Sequence, residues 1–217
     1  MLKADLHIHT EYSIDSSNSL DGVINRCLEL GINCIAVCDH GTAEGAIKLK
    51  AIAPFTVIIA EEVLTPDGEI MGMFLRETIP SGFSVAETIS RIRAQGALVC
   101  IPHPFDRFRP SAIKGRVMAE IADQIDIIEV FNARTLPYQN MNRLKNFARE
   151  HNLPQSAGSD AHTLSEIGNA YVEMPEFNGR DDFIKSLVQG GICGERTSPL
   201  IHFVSLGNRI KKKLRNR

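Results

Sequence analysis

At 217 residues, with 43% hydrophobic residues, the chain is long enough for one large domain or two small ones with a real core. No apolar run approaches the roughly 18 residues a spanning helix needs, which excludes a helical membrane protein. The formal charge of −2 becomes −8 once the six positive charges of residues 209–217 are set aside, and so acidic a body excludes a general nucleic-acid or stable duplex-DNA binder.

The first predicted element is a strand ending in Asp5-Leu6-His7-Ile8-His9-Thr10. A period of two places Asp5, His7 and His9 on one face and Leu6 and Ile8 on the other. Exposed strand faces favour Thr, Lys and Glu, so a His-x-His face at a strand's end predicts a site rather than a solvated surface. The N-terminus, Met1-Leu2-Lys3-Ala4-Asp5, has no apolar segment or cleavage signal and predicts no export. The five cysteines include no C-x-x-C pair, and Cys27, Cys34 and Cys100 lie in apolar runs, which predicts reduced thiols in a cytoplasmic protein.

Ser19 caps a predicted helix that runs to about Leu30 and stops at Gly31. Residues 33–39 read as a buried strand, 43–51 as a short helix and 55–64 as a third strand. Thr65-Pro66-Asp67-Gly68 predicts a turn, with 69–75 pairing back as a hairpin. Residues 84–95 form a helix opened by a Ser84-x-x-Glu87 capping box. Strands follow at 97–102, 126–131, 155–159 and 170–174, and helices at 114–124, 137–151 and 181–189. About seven β/α units with continuous apolar strands imply a single-domain α/β fold with a parallel sheet covered by helices.

Polar residues collect where these strands end. His7 and His9 leave the first strand, with Glu11 and Asp15 in the loop behind them. Asp39-His40 ends the second, Glu61 and Glu62 the third, Glu69 opens the hairpin's return, His103-Pro104 ends the next, and Gly158-Ser159-Asp160-Ala161-His162 a later one. Five of the seven histidines fall at such exits, the rim where α/β barrels carry their chemistry. Four or five histidines with three or four carboxylates exceed the four ligands of a structural zinc and match two or three divalent ions. Imidazole and carboxylate ligands suit Zn, Mn or Fe.

Asp5-x-His7-x-His9-Thr10, Asp39-His40, Glu62, His103-Pro104 and Gly158-Ser159-Asp160-x-His162 resemble, in order and spacing, the four motifs of the PHP (polymerase and histidinol phosphatase) superfamily. The resemblance covers Leu2 to about Leu200 and leaves 201–217 as a basic tail or helix. It implies a distorted (β/α)7 TIM-like barrel with a β-hairpin inserted after strand three, holding two or three metal ions and hydrolysing phosphoesters. Carried over, His7, His9, Glu62 and Asp160 would hold one ion, with Glu62 bridging, and Asp15, His40, His103 and His162 would serve the others. Many members have a histidine where this chain has Glu69, and a carboxylate can take its place as ligand. Asp5 would orient a histidine ring.

Clustered divalent ions bring a bound water's pKa toward neutrality, and the resulting hydroxide would attack phosphorus in line. Asp160 would hold the cation beside it, and His40 or His162 would protonate the leaving oxygen. Arg107, Arg109, Arg134 and Arg196 are the candidate phosphate forks. Glu11 and Glu61 read as solvated or supporting groups, Cys38 as core, and residues 209–217 as a frayed, solvated end. The predicted activity is a metal-dependent phosphoesterase acting on a small phosphorylated metabolite, nucleotide or short oligonucleotide. Two other classes compete: a 5′-3′ exonuclease or RNA-trimming enzyme guided by the basic tail, and a non-catalytic metal-binding regulatory module.

Overall fold

The computed structural model describes residues 1–106, 108–136 and 141–215. Arg107 and the start of the helix predicted at 137–151 lie outside the described residues. The strands are β1 (Leu2–Ile8), β2 (Cys34–Val37), β3 (Thr56–Thr65), β4 (Gly68–Met73), β5 (Leu98–Ile101), β6 (Ile127–Asn132), β7 (Gln155–Gly158), β8 (Ala170–Met174) and β9 (Gly191–Gly194). The helices are α1 (Leu20–Leu30), α2 (Glu44–Ile52), α3 (Val85–Ala94), α4 (Gly115–Glu120), α5 (Met141–Glu150), α6 (Arg180–Val188) and α7 (Ile201–Arg215). Local chemistry sets their ends. Ser19 accepts from the Gly22 amide at the start of α1, and Gly31 takes a left-handed turn at its finish.

The nine strands among the described residues form one sheet in the order β7-β6-β5-β4-β3-β2-β1-β8-β9. Strands β1, β2 and β3 are mutually parallel, as are β5, β6 and β7, while β4 runs antiparallel between β3 and β5. The hairpin insertion is therefore a full member of the wall. The sheet curls until the exit of β7 meets β1: the Asp160 amide donates to the His7 carbonyl at 2.7 Å and the His9 amide to the Ala161 carbonyl at 3.0 Å. Seven strands thus make a nearly closed barrel, as the sequence predicts.

The outer strands differ from expectation. Residues 170–174 pair antiparallel with β1, not as another parallel unit, and β9 extends them. Only a short 3-10 turn, Leu164–Glu166, separates β7 from β8, and a parallel return needs a crossover of a dozen or more residues.

Among the described residues, three apolar clusters fill the fold. One, containing Leu2, Ala4, Leu6, Ala36, Ala60 and Ala157, occupies the barrel interior, with Phe183 and Leu187 of α6 packed into it. The other two lie between the wall and the helices, one under α1 and α2 and one under α3, α4 and α5. Cys27, Cys34, Cys38 and Cys100 are buried free thiols, and Cys193 is partly buried and also free. No described helix is long and apolar enough to cross a membrane.

Candidate metal centre

The barrel's packing ends just below its polar residues. In β1 the pairing register shifts between Asp5 and Ile8. Leu6 joins the interior cluster while Ile8 joins the one under α1 and α2, so the two do not share a face as strict alternation predicts. The irregularity re-aims the strand's last side chains, a common use of such bulges beside sites. His7 and His9 enter the site, and Asp5 does not follow them. Its carboxylate accepts from the Ser159 amide at 2.9 Å, the Ser159 hydroxyl at 2.6 Å and the Gly168 amide at 3.0 Å. Asp5 therefore fixes the loop after β7 rather than a histidine ring.

Glu129 of β6, missed in the sequence, takes the ring-orienting part. One carboxylate oxygen lies 2.9 Å from His7 Nδ1, and the other accepts from the His103 amide at 2.6 Å and from Asn132 Nδ2 at 3.0 Å. Asn132 Nδ2 also lies 3.2 Å from Asp160 Oδ2. The available signal was a carboxylate inside Ile127-Ile128-Glu129-Val130-Phe131, where a strand buried on both faces has no solvent for it.

Two sets of donors converge. His7 Nε2 and His9 Nε2 are 3.2 Å apart, and Asp160 Oδ1 lies 3.5 Å from the first and 3.2 Å from the second. Glu62 sets one oxygen 3.4 Å from His7 Nε2 and the other 3.4 Å from His9 Nε2. It also reaches His103 Nε2 at 3.0 Å and His40 Nδ1 at 3.3 Å, so it bridges both sides of the cluster. Glu69 stands 3.4 Å from His40 Nδ1 and 3.6 Å from His103 Nε2, among the donors where the family's histidine was expected. The outer set is Asp15, His40 and His162: Asp15 lies 3.6 Å from His40 Nε2 and 3.2 Å from His162 Nε2. Every metal-ligand candidate of the sequence is thus in one cluster. Cys38 packs in the core as expected, but its sulfur also lies within 4.8 Å of the His7 and His9 donors.

These residues fit divalent cations. Donors sharing one tetrahedral ion sit about 3.3 Å apart, given bonds of about 2.0–2.1 Å. Glu62 Oε2, Glu69 Oε2, Asp160 Oδ1 and His103 Nδ1 are buried without hydrogen-bond partners. A buried unsatisfied carboxylate oxygen is costly, and a cation at the convergence point satisfies it. Their electrostatics agree. Burial opposes charge on Asp160, yet Arg109 and His7 hold its carboxyl well below the usual range. Burial together with His162 and His40 pushes His9 down to about 3, leaving a neutral imidazole. His103 (φ 31°) and Asp160 (φ 56°) hold left-handed backbone, strain of the kind that collects at functional sites.

Close packing makes the cluster possible. A Cβ on Gly158 would stand 2.2 Å from His7 Cβ, so only glycine lets β7 approach β1 here. Asp39 accepts from the Thr10 amide and hydroxyl, both at 2.6 Å, and braces the exit of β1 without joining the donors. Glu11 is exposed, but Glu61 is not solvated: it is fully buried, accepts from the Ile79 amide at 2.9 Å, and burial pushes its carboxyl up to about 8.

Above the donors opens a cavity of about 660 Å³ whose lining includes Arg109, Arg134 and Arg209. Arg109 donates to Asp160 Oδ2 at 2.6 Å. Arg134 is buried, with Nε 3.0 Å from Glu166, Nη1 2.7 Å from His162 Nδ1 and Nη2 donating to Ser205 Oγ at 2.6 Å. Arg196 instead donates to the Thr135 carbonyl at 2.8 Å and is not among the cavity's lining residues. Of the basic tail, residues 209–215 are helical rather than frayed, with Arg209, Ile210 and Leu214 exposed as expected and residues 216–217 outside the described residues; α7 lends the cavity Ser205 and Arg209.

Comparison with known proteins agrees with this geometry. The PHP domain model matches residues 5–94, and a PHP-associated model matches residues 139–191. Uncharacterized protein MJ0417 of Methanocaldococcus jannaschii is 35% identical over 180 residues, covering 82% of this chain and 72% of that one. Among solved structures, a Bacteroides vulgatus two-domain protein, described as containing a predicted PHP-like metal-dependent phosphoesterase, aligns with TM-score 0.69 at 18% identity. That alignment covers 89% of this chain and 65% of the two-domain protein's length. PsfC from Pseudomonas syringae aligns over 97% of this chain and 98% of its own with TM-score 0.67 at 16% identity, a likeness of fold. Motifs, barrel, donor cluster and sequence relatives converge on one conclusion: the chain belongs to the PHP domain family.

Proposed function

We propose that the protein is a metal-dependent phosphoesterase that hydrolyses a phosphate ester of a small metabolite, nucleotide or short oligonucleotide. The observation that carries this reading is the convergence of the His7, His9, Glu62 and Asp160 donors, with carboxylate oxygens left unpartnered. His7, His9, Glu62 and Asp160 would hold one cation, and Glu62, Glu69, His40, His103, Asp15 and His162 would hold one or two more. Zn, Mn or Fe bound there would activate water and neutralise charge on the phosphoryl oxygens.

The chain's own groups do the rest. Glu129 holds the His7 ring by its Nδ1 and so fixes which nitrogen faces the cluster. Arg109 holds Asp160 from the cavity side and presents a cationic fork at the phosphate's entry. His40 is the more open of the two candidate histidines. Its side chain is 23% exposed, against 3% for His162, which Arg134 also engages. Burial works against its charge, yet Glu62, Glu69 and Asp15 raise it above its ordinary value while no cation is bound, and either ring would protonate the leaving oxygen only where it does not itself hold a cation. Ile14, Leu64 and Phe108 give the mouth an apolar surface for the organic part of the ester. The volume lies within the range of small-molecule sites.

The test is a substrate panel for the manganese-loaded protein. It includes nucleoside monophosphates and bisphosphates, histidinol phosphate and 5′-labelled oligonucleotides, with His9→Ala and Asp160→Ala as controls. Hydrolysis of at least one phosphate ester, lost in both variants, is expected. Hydrolysis unchanged in both would reject chemistry at this cluster. Arg209 on the basic helix beside the cavity supports a second reading, exonucleolytic trimming. Salt-sensitive shortening of single strands from the 5′ end would favour it.

A further inference from the structure

The outer donors are held differently from the inner ones. Asp15 lies in the loop between β1 and α1, whose tip meets the barrel wall through the His40 amide, which donates to Ser13 Oγ at 3.3 Å, and meets α2 through Lys48, which donates to the Tyr12 hydroxyl at 2.9 Å. The base of that loop is secured by its own neighbours: Ser16 Oγ and Asn18 Nδ2 both donate to the His9 carbonyl, at 3.1 Å and 2.8 Å. The tip is also held by α7. Lys212 Nζ donates to the carbonyl of Glu11 at 2.6 Å and to that of Ser13 at 2.5 Å. One turn earlier, Asn208 Nδ2 donates to Ser17 Oγ at 3.3 Å. Residues four apart share a helix face, so α7 grips the loop twice.

Ser13 passes this grip to the donors. Its hydroxyl donates to Asp15 Oδ1 at 3.1 Å, accepts from the His40 amide at 3.3 Å and lies 3.5 Å from His9 Nδ1. Ser205, on the same helix, takes the Arg134 fork whose other arm meets His162 Nδ1. Two of the three outer donors, Asp15 and His162, are thereby tied to α7.

We propose that Lys212 and Asn208 are positioning residues: they hold the Asp15 loop so that Asp15 joins His40 and His162 at an outer cation position, which α7 completes. This rests on the reading of the cluster as a cation site, but it concerns the outer position alone. The basic helix then serves to finish the site rather than to bind a partner, and the inner cluster does without it.

The experiment counts cations. The full chain is loaded with manganese and passed through gel filtration, and bound metal is measured by mass spectrometry, with affinities from calorimetry. Asp15→Ala should lose about one ion per chain. Lys212→Met, which keeps the aliphatic stem, and Asn208→Ala should weaken that same ion about 10–100-fold, the usual cost of removing a supporting contact. Lys212→Arg should restore it, and Lys212→Met should cost nothing further in an Asp15→Ala background. Melting temperatures report the fold, and Asn208→Ala reads the same grip if Lys212→Met unfolds. Unchanged count and affinity in folded Lys212→Met and Asn208→Ala would overturn the proposal. An Asp15→Ala protein that loses no ion would overturn it equally. Neither result touches the inner cluster, whose own failure would appear as His9→Ala and Asp160→Ala proteins that bind as many ions as the unaltered chain.

Discussion

The inner and outer parts of the centre both combine imidazoles with carboxylates but rest on different architecture. His7, His9, Glu62 and Asp160 are fully buried, and each sits on a strand or within two residues of one. Their backbones belong to the hydrogen-bonded wall, and Glu129 and Asn132 of β6 brace them from behind. Asp15 and His40 keep side-chain exposures of 18% and 23%, and Asp15 depends on a loop. Burial on a rigid wall gives donors whose geometry exists before the cation arrives, while a loop gives a donor whose placement must be supplied by something else. Here that something is a helix about 200 residues away in the chain.

That comparison fails or sharpens on five measurements. The largest effect belongs to the inner cluster: Asp160→Ala should lower hydrolysis about a thousandfold, roughly 4 kcal/mol in barrier, and should strip its cation, read by turnover and metal content. Next comes the wall that carries it. Gly158→Ala forces a Cβ against His7 and should cost about 3 kcal/mol of stability, read by urea unfolding. Glu129→Gln keeps an oxygen for the His103 and Asn132 donors but puts an NH2 donor against His7 Nδ1, and should weaken cation affinity about 10–100-fold in calorimetry while the chain stays folded. Asp15→Ala should lower turnover only about tenfold, less than any inner ligand. If it matched Asp160→Ala, the division into two parts would collapse.

The smallest effect concerns pH alone. Burial raises Glu61 to about 8 from the ordinary 4.5. The native state therefore holds this proton where the unfolded chain has released it, and stability from this group, full below 4.5, is lost as pH rises through 8. Glu61→Gln should flatten the fall in melting temperature over that window in chelator-treated protein. An unchanged slope would show that the carboxyl is ionised in the fold.

The strand and helix order was legible because buried strands and capped helices leave local signs, such as the Ser19 and Gly31 ends of α1 and the Thr65–Gly68 turn. The donors were legible because histidines and carboxylates at strand ends have few other reasons to be there. What escaped was set by distant partners. Strict alternation put Asp5 beside His7, and only pairing with β2 creates the register shift that separates them. Glu129 gave a weak sign, a charge in an apolar strand, whose meaning depends on His7 lying across the barrel. Arg134 and Arg196 were equal as candidates, yet one lines the cavity and the other holds a backbone carbonyl.

Residues close together in the chain set the alternation of elements, the family motifs and the candidate donors, so these could be read along the sequence. The folded sheet alone shows which donors stand together, which carboxylates brace them, and that Arg209 and Lys212 of α7 reach the cavity and the Asp15 loop. Those outcomes depend on distances between segments far apart in the chain, and such distances exist only once the sheet has curled and closed.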